Sequence, residues 1–453
     1  MSAVDRTHAP GAAPAPEFRT PTTWRETLAG GATLVGTQAE PLAFGVLALA
    51  ADAGQAFVPP GKAGLASLAA EVLLEGTARL DGTELQDELD GLGADLSASA
   101  GTDSIVLQLS GLERHLDHAA ELLLEVVREP RFDAADVARL KRQRIARLEA
   151  RASDAARIAG DAWQAIVHGD GTSLGQPSAG TPAAINALTR DELATYWEAA
   201  LDPAGLRAQI VSAREPERAR GLFAGLAEIA SPGRKLTPDA GESTLGACRR
   251  ITLVDRPGAP QSYLRVGHLA VPATHPDFYA LYVLNHPLGG AFSSRLNLNL
   301  REDKGWTYGV RSGFGGGLRP GTFQVAAAVE TDASAPAVAE IVRELEELRA
   351  GGVTADELEF ARESLSQTLL RQYESVGAKA ALVSNLAKYG WPADYPARRL
   401  AWLAEVSKAD LDALAERHLH LDRLEVLAVG DAERIRGGLE DLGFEAFEVR
   451  EAG

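Results

Sequence analysis

Residues 118–137, HAAELLLEVVREPRFDAADV, and residues 339–358, AEIVRELEELRAGGVTADEL, lie on one another without a gap. Each stretch reads as an amphipathic helix, a break, and a second helix opened by a capping side chain, Asp133 in one and Thr354 in the other. The repeat extends outward in both directions. Toward the N-terminus, residues 31–35 (GATLV) face residues 250–254 (RITLV). Each is followed by an alternating apolar stretch that reads as further strand, LAFGVLALAADAG and YLRVGHLAVPA. Toward the C-terminus, LTRDELATYWEAALDPAGLRAQIV faces VSKADLDALAERHLHLDRLEVLAV, a helix capped by Thr189 or Ser407 running into a closing strand.

The shift stays at about 220 residues throughout, so the chain is read as two copies of one unit. Each copy runs strand pair, helix, strand pair, long helices, last strand. That order predicts an α+β fold: two homologous halves, each a mixed, mostly antiparallel sheet with helices packed on one face. The stretch ASPGRKLTPDAGESTLG, rich in Pro, Gly and Ser, is the predicted linker, residues 230–246. The halves are then 23–229 and 247–453, after a tail of 22 residues expected to be disordered.

Composition narrows the function. The formal charge is −18, from 45 Lys and Arg against 63 Asp and Glu. That balance argues against nucleic acid or an anionic membrane as partner; it would suit a basic or extended peptide, although solubility alone is the commoner reason for an acidic surface. One cysteine, Cys248, excludes a disulfide framework within the chain and a zinc site built on cysteines. No apolar stretch reaches signal-peptide or membrane-span length, and the expected location is cytoplasmic.

Three segments carry a resemblance. PPGKAGLASLAAEVLLEGT and HGDGTSLGQPSAGTPAAINALTRDEL lie in the first half, and NHPLGGAFSSRLNLNLREDKGWTYGVRSGF in the second. Together they resemble the pitrilysin/insulinase family of zinc peptidases, which includes the mitochondrial processing peptidase. That family binds zinc through H-x-x-E-H on a helix: two His one turn apart grip the metal and the Glu activates water. With Gly64-Leu65 and Gly76-Thr77 fixing the register, Ser67 stands where the first His belongs, Ala70 where the Glu belongs, and Glu71 where the second His belongs. The later Glu ligand falls on Arg147, and Glu71 and Arg147 are expected to pair across the dead site. The chain is therefore expected to bind no metal itself, and zinc is expected in a partner. On this reading, Ser67→His, Ala70→Glu, Glu71→His and Arg147→Glu together should restore zinc affinity.

The second half keeps what the first lacks. The family's substrate-holding Arg and Tyr map to Arg301 and Tyr308. The resemblance implies that Arg301 binds substrate backbone and that Tyr308 donates a hydrogen bond to the oxyanion of the tetrahedral intermediate. Phe292, Leu296 and Leu300 are expected to form one buried helix face, and Gly305 to end that helix before a strand from Trp306. The remaining candidates have plainer readings. His115 and His118 lie on a solvated helix face, His418 and His420 at a helix end, and His286 in a turn. GFGGG at 313–317 is a hairpin turn or lip rather than a phosphate loop.

The resemblance implies a zinc-less subunit whose partner is a homologous, zinc-bearing peptidase subunit and whose substrate is peptide. The rival reading is a scaffold or interaction protein derived from the same fold, which has no reason to keep Arg301 and Tyr308.

Overall fold

A computed structural model describes residues 20–38, 43–239 and 248–451. Most of the tail and residues 240–247 around the end of the linker lie outside the described residues. The first sheet uses Thr23–Thr27 (β1), Thr33–Gln38 (β2), Phe44–Ala51 (β3), Asp95–Ala100 (β4), Ile105–Leu112 (β5) and Arg207–Ser212 (β6), in the order β1-β2-β6-β3-β5-β4. The second uses Arg250–Asp255 (β7), Gln261–Ala270 (β8), Thr307–Gly315 (β9), Gly321–Glu330 (β10), Glu425–Gly430 (β11) and Ala446–Glu451 (β12), in the order β12-β7-β11-β8-β10-β9.

The duplication is visible strand by strand. β2 runs parallel to β6 as β7 does to β11, and the inner pairs around β3 and β8 are antiparallel. The pairings Thr33–Arg207 and Arg250–Glu425 make Thr33 the counterpart of Arg250, whereas the sequence alignment set it against Thr252. The slip is two residues, an even number, so every side chain keeps its face. The outer edges differ. β1 joins β2 antiparallel from the N-terminal side, while β12 joins β7 parallel from the C-terminus.

The expected fold class holds. In each half, one sheet face packs on that half's own helices around Leu34, Leu47, Leu49 and Leu109, or Leu253, Leu264, Val266 and Val426. The predicted caps are in place. Asp133 accepts from Ala135 N at 2.8 Å, and Thr189 and Ser407 each complete a capping box.

The opposite faces are covered by exchange. Helix Val376–Tyr389, from the second half, lies on the first sheet against Val35, Val46 and Val211. Helix Ala155–His168, from the first half, lies on the second sheet, with Ile158, Trp163 and Ile166 against Val254, Leu427 and Val429. Period-two alternation supplies both faces: Leu34 and Ile210 point to one core, Val35 and Val211 to the other.

The GFGGG stretch spans the end of β9 and its turn, and this turn meets the other half. Asp103, in the β4–β5 turn and 1% exposed, takes Lys388 Nζ at 2.8 Å and Arg319 Nη1 at 3.5 Å. Among the described residues no helix is long and apolar enough to cross a membrane.

Candidate functional site

Helix Leu65–Val72 carries the first-half positions. Its apolar stripe, Leu65, Leu68, Ala69 and Val72, is buried, and Ala70 is buried with it. Gly64 caps the helix at φ +87°, and a Cβ there would meet Gly180 Cα at 2.9 Å. Only glycine fits this left-handed, crowded position, and the fit draws the segment around residues 178–180 against the first helical turn. Ser67 Oγ then donates to the Ser178 carbonyl at 2.7 Å.

Ser67 and Glu71, one helical turn apart, do face a common point, and a guanidinium fills it. Arg144 Nη1 donates to Ser67 Oγ at 2.6 Å, and its Nη2 lies 2.6 Å from Glu71 Oε1. Arg144 also reaches the carbonyls of Ala179 and Ser67, each at 3.3 Å. The Glu71–Arg147 pair expected from the alignment is present at 3.3 Å, at the exposed rim. Arg144 is the stronger partner, and sequence reasoning missed it. Its only signal was its place three residues before Arg147, on the same helix face.

These residues do not suit zinc. A hydroxyl and an alanine replace an imidazole and the general base, and the carboxylate is engaged by two cations that would repel a third. Among the described residues no group of three His, Cys, Asp or Glu side chains is arranged to hold a metal ion. His118 sits exposed beside Glu88 and Glu121, and His418 pairs with Asp277 at 2.8 Å.

The second-half site is built differently from the reading of its helix. Leu296 and Leu300 are buried, but Phe292 is 69% exposed. The helix begins at Arg295, so Phe292 lies before it, and the next turn, Leu298–Asp303, widens to π-helical spacing. A four-residue period therefore does not reach back to Phe292. Its ring instead lies 4.3 Å from the Arg301 guanidinium carbon, in cation–π contact. Arg301 also touches Glu302 at 3.4 Å. Gly305, at φ +67°, ends the turn as expected, and β9 follows.

Tyr308 is thrown outward by a β-bulge. Thr307 pairs with Val329 and Val310 with Ala327, so Tyr308 and Gly309 together oppose Ala328 alone. Thr307 Oγ1 clamps the bulge, donating to the Ala328 carbonyl at 2.7 Å and accepting from Gly309 N at 3.1 Å. Behind it, Asn297 brackets Val310, accepting from its N–H at 3.1 Å and donating to its carbonyl at 2.9 Å. Asn285 holds Ser312 from the same side, donating to its carbonyl at 2.8 Å and accepting from its hydroxyl at 2.6 Å. The phenol is left 92% exposed with no hydrogen-bond partner among the described residues, and no hydrogen bond joins it to Arg301.

Residues 35–172 match the family model described as insulinase (peptidase family M16), and residues 187–365 match that of the peptidase M16 inactive domain. The chain belongs to peptidase family M16. An uncharacterized zinc protease of Streptomyces coelicolor is 25% identical over 78% of each chain. A non-peptidase homolog of Helicobacter pylori is 22% identical over 87% of this chain and 90% of its own. The fold is that of a peptidase M16 inactive domain from Pseudomonas fluorescens, with a TM-score of 0.83, 24% identity, and coverage of 90% and 98%.

Proposed function

We propose that this M16 chain is the zinc-less subunit of a two-subunit peptidase, lending Arg301 and Tyr308 to peptide held at a homologous partner's zinc. Its similar proteins carry names of both kinds, zinc protease and non-peptidase homolog, so the chain's own residues must decide. At 67, 70 and 71 they supply neither the imidazoles nor the base. Alone, the chain is expected to bind no stoichiometric zinc and to cleave no peptide, which metal analysis and a peptidase assay check. A cytoplasmic complex is the setting proposed for it, in keeping with a single cysteine.

One observation carries the reading: Tyr308 is held out to solvent by a bulge that Thr307 and Asn297 lock in place. A folded protein gains nothing from a 92% exposed tyrosine on a braced bulge, whereas a donor fixed before reaction suits an oxyanion arriving from outside. The partner's zinc would supply activated water. Arg301, steadied by Phe292, would hold the peptide backbone, and the Tyr308 hydroxyl would meet the developing negative charge.

The test is reconstitution with a homologous subunit that carries H-x-x-E-H. Tyr308→Phe should lower kcat by about 10²-fold with little change in KM. Arg301→Ala should also raise KM, because its contacts form in the ground state. Size-exclusion chromatography should show an intact complex in both cases. Full activity from both variants in an intact complex would favour the scaffold reading instead.

A further inference from the structure

We infer that Arg144 is a resident cation seated where the fold would otherwise hold a metal, gripped by Ser67 and Glu71 as two histidines one turn apart would grip zinc. Three observations meet. The side chain is nearly sealed, with 8% of the residue exposed. Its two terminal nitrogens divide between the two helix positions, Nη1 on Ser67 Oγ and Nη2 on Glu71 Oε1, each at 2.6 Å. The same group reaches the carbonyls of Ser67 and Ala179 at 3.3 Å. A planar fork is needed for this, because four acceptors lie around it and a lysine ammonium on a flexible stem cannot span them together.

The cation thereby ties together three segments far apart in sequence: helix Leu65–Val72, helix Ala134–Ala150 and the residues around 178–179. A bound metal would make the same cross-link, but would be lost to chelators. A guanidinium carried on the chain is not. The loss of zinc is thus matched by a replacement that keeps the helix, the loop and the charge of Glu71 in place.

This assigns a chemical class to the site. With the Arg144 side chain cut back, the vacated position is lined by one carboxylate, one hydroxyl and two carbonyls, a set that accepts a small planar monocation. Arg144→Ala should lower the melting temperature by roughly 3–6 °C, since it leaves a carboxylate with only a rim partner. Guanidinium chloride at about 20 mM should recover about half of that loss, while leaving the parent protein unchanged. Potassium chloride at equal ionic strength should recover none. An unchanged melting temperature, or equal recovery by both salts, would overturn the inference. Should Arg144→Ala not fold, Arg144→Lys serves: it should melt below the parent, and a parent-like melt would remove the need for a fork.

The equation with a metal's place rests on the family reading of residues 67–71, and a second arm tests it separately. The protein with Ser67→His, Ala70→Glu, Glu71→His and Arg147→Glu should bind no zinc while Arg144 remains, and should bind one equivalent once Arg144→Leu is added. On this inference, the four changes without the fifth leave the position occupied. Zinc bound by the four-fold variant would overturn the inference. A folded five-fold variant that binds none, alongside intact guanidinium rescue, would overturn the register of the metal positions and leave the cation brace standing.

Discussion

Glu425 and His268 show how two sealed ionisable groups can hide each other. Glu425 is 3% exposed, paired across the strands with Gly267, and bonded to Thr252 Oγ1 at 3.0 Å. Burial pushes its carboxyl up to about 7, against the pull of Thr252 and Arg250. Burial pushes His268 the other way, down to about 4, with one ring nitrogen on the Leu269 carbonyl and the other facing the His420 N–H. The two contributions to stability have opposite slopes. That of Glu425 is fully present below its unfolded value of 4.5 and is lost as pH rises toward 7. That of His268 is fully present above its unfolded value of 6.5 and is lost as pH falls toward 4. Between these limits the two contributions should therefore largely offset each other in the parent protein. Relative to the parent protein, Glu425→Gln should gain stability as pH rises through the window and His268→Gln should lose it, each by on the order of 2 kcal/mol. Parallel slopes in the two variants would refute the assignment.

At the scale of elements, the exchanged helices decide how the halves hold together. Trp163 is buried between helix Ala155–His168 and the second sheet, and its indole nitrogen has no hydrogen-bond partner among the described residues. Its contribution is therefore packing, and Trp163→Ala should cost about 3–5 kcal/mol, read as a fall in the urea midpoint. The repeat announces two sheets with helices on them, so much of the fold is legible in the chain. The exchange is not, because a periodic stripe states that a face is buried and not against which sheet. Arg144 was hidden for a related reason: in LKRQRIARLEA it looks like one more solvated cation, and only the approach of Gly64 to Gly180 encloses it. Phe292 misled because its spacing from Leu296 matched a helix that has not yet begun. The Tyr308 bulge is likewise a property of the β9–β10 pairing, silent in the sequence of either strand.

For the whole molecule, the two exchanges and Asp103 act as fasteners between halves that share one architecture. Asp103 belongs to a turn of the first sheet, Arg319 to the facing turn of the second, and Lys388 to the visiting helix. Separate melting of the halves would strip each sheet of its cover. Calorimetry should accordingly show one transition rather than two. Asp103→Asn, which leaves two cations facing a neutral amide, should lower that single transition without splitting it. Two resolved peaks in the parent protein would contradict this.

The exchange also sets a schedule for the ribosome. Helix Ala155–His168 leaves the tunnel long before β11, the strand carrying Leu427 and Val429, has been made. At about 5–20 residues per second, Trp163 waits on the order of 15–50 s for its partners. The first sheet, whose last strand ends at Ser212, stands bare on one face until Val383 and Leu386 arrive from the second half. For most of its synthesis the nascent chain carries uncovered apolar surface that no local folding can hide. Chaperone capture should therefore begin once helix Ala155–His168 is out, and end only when translation does.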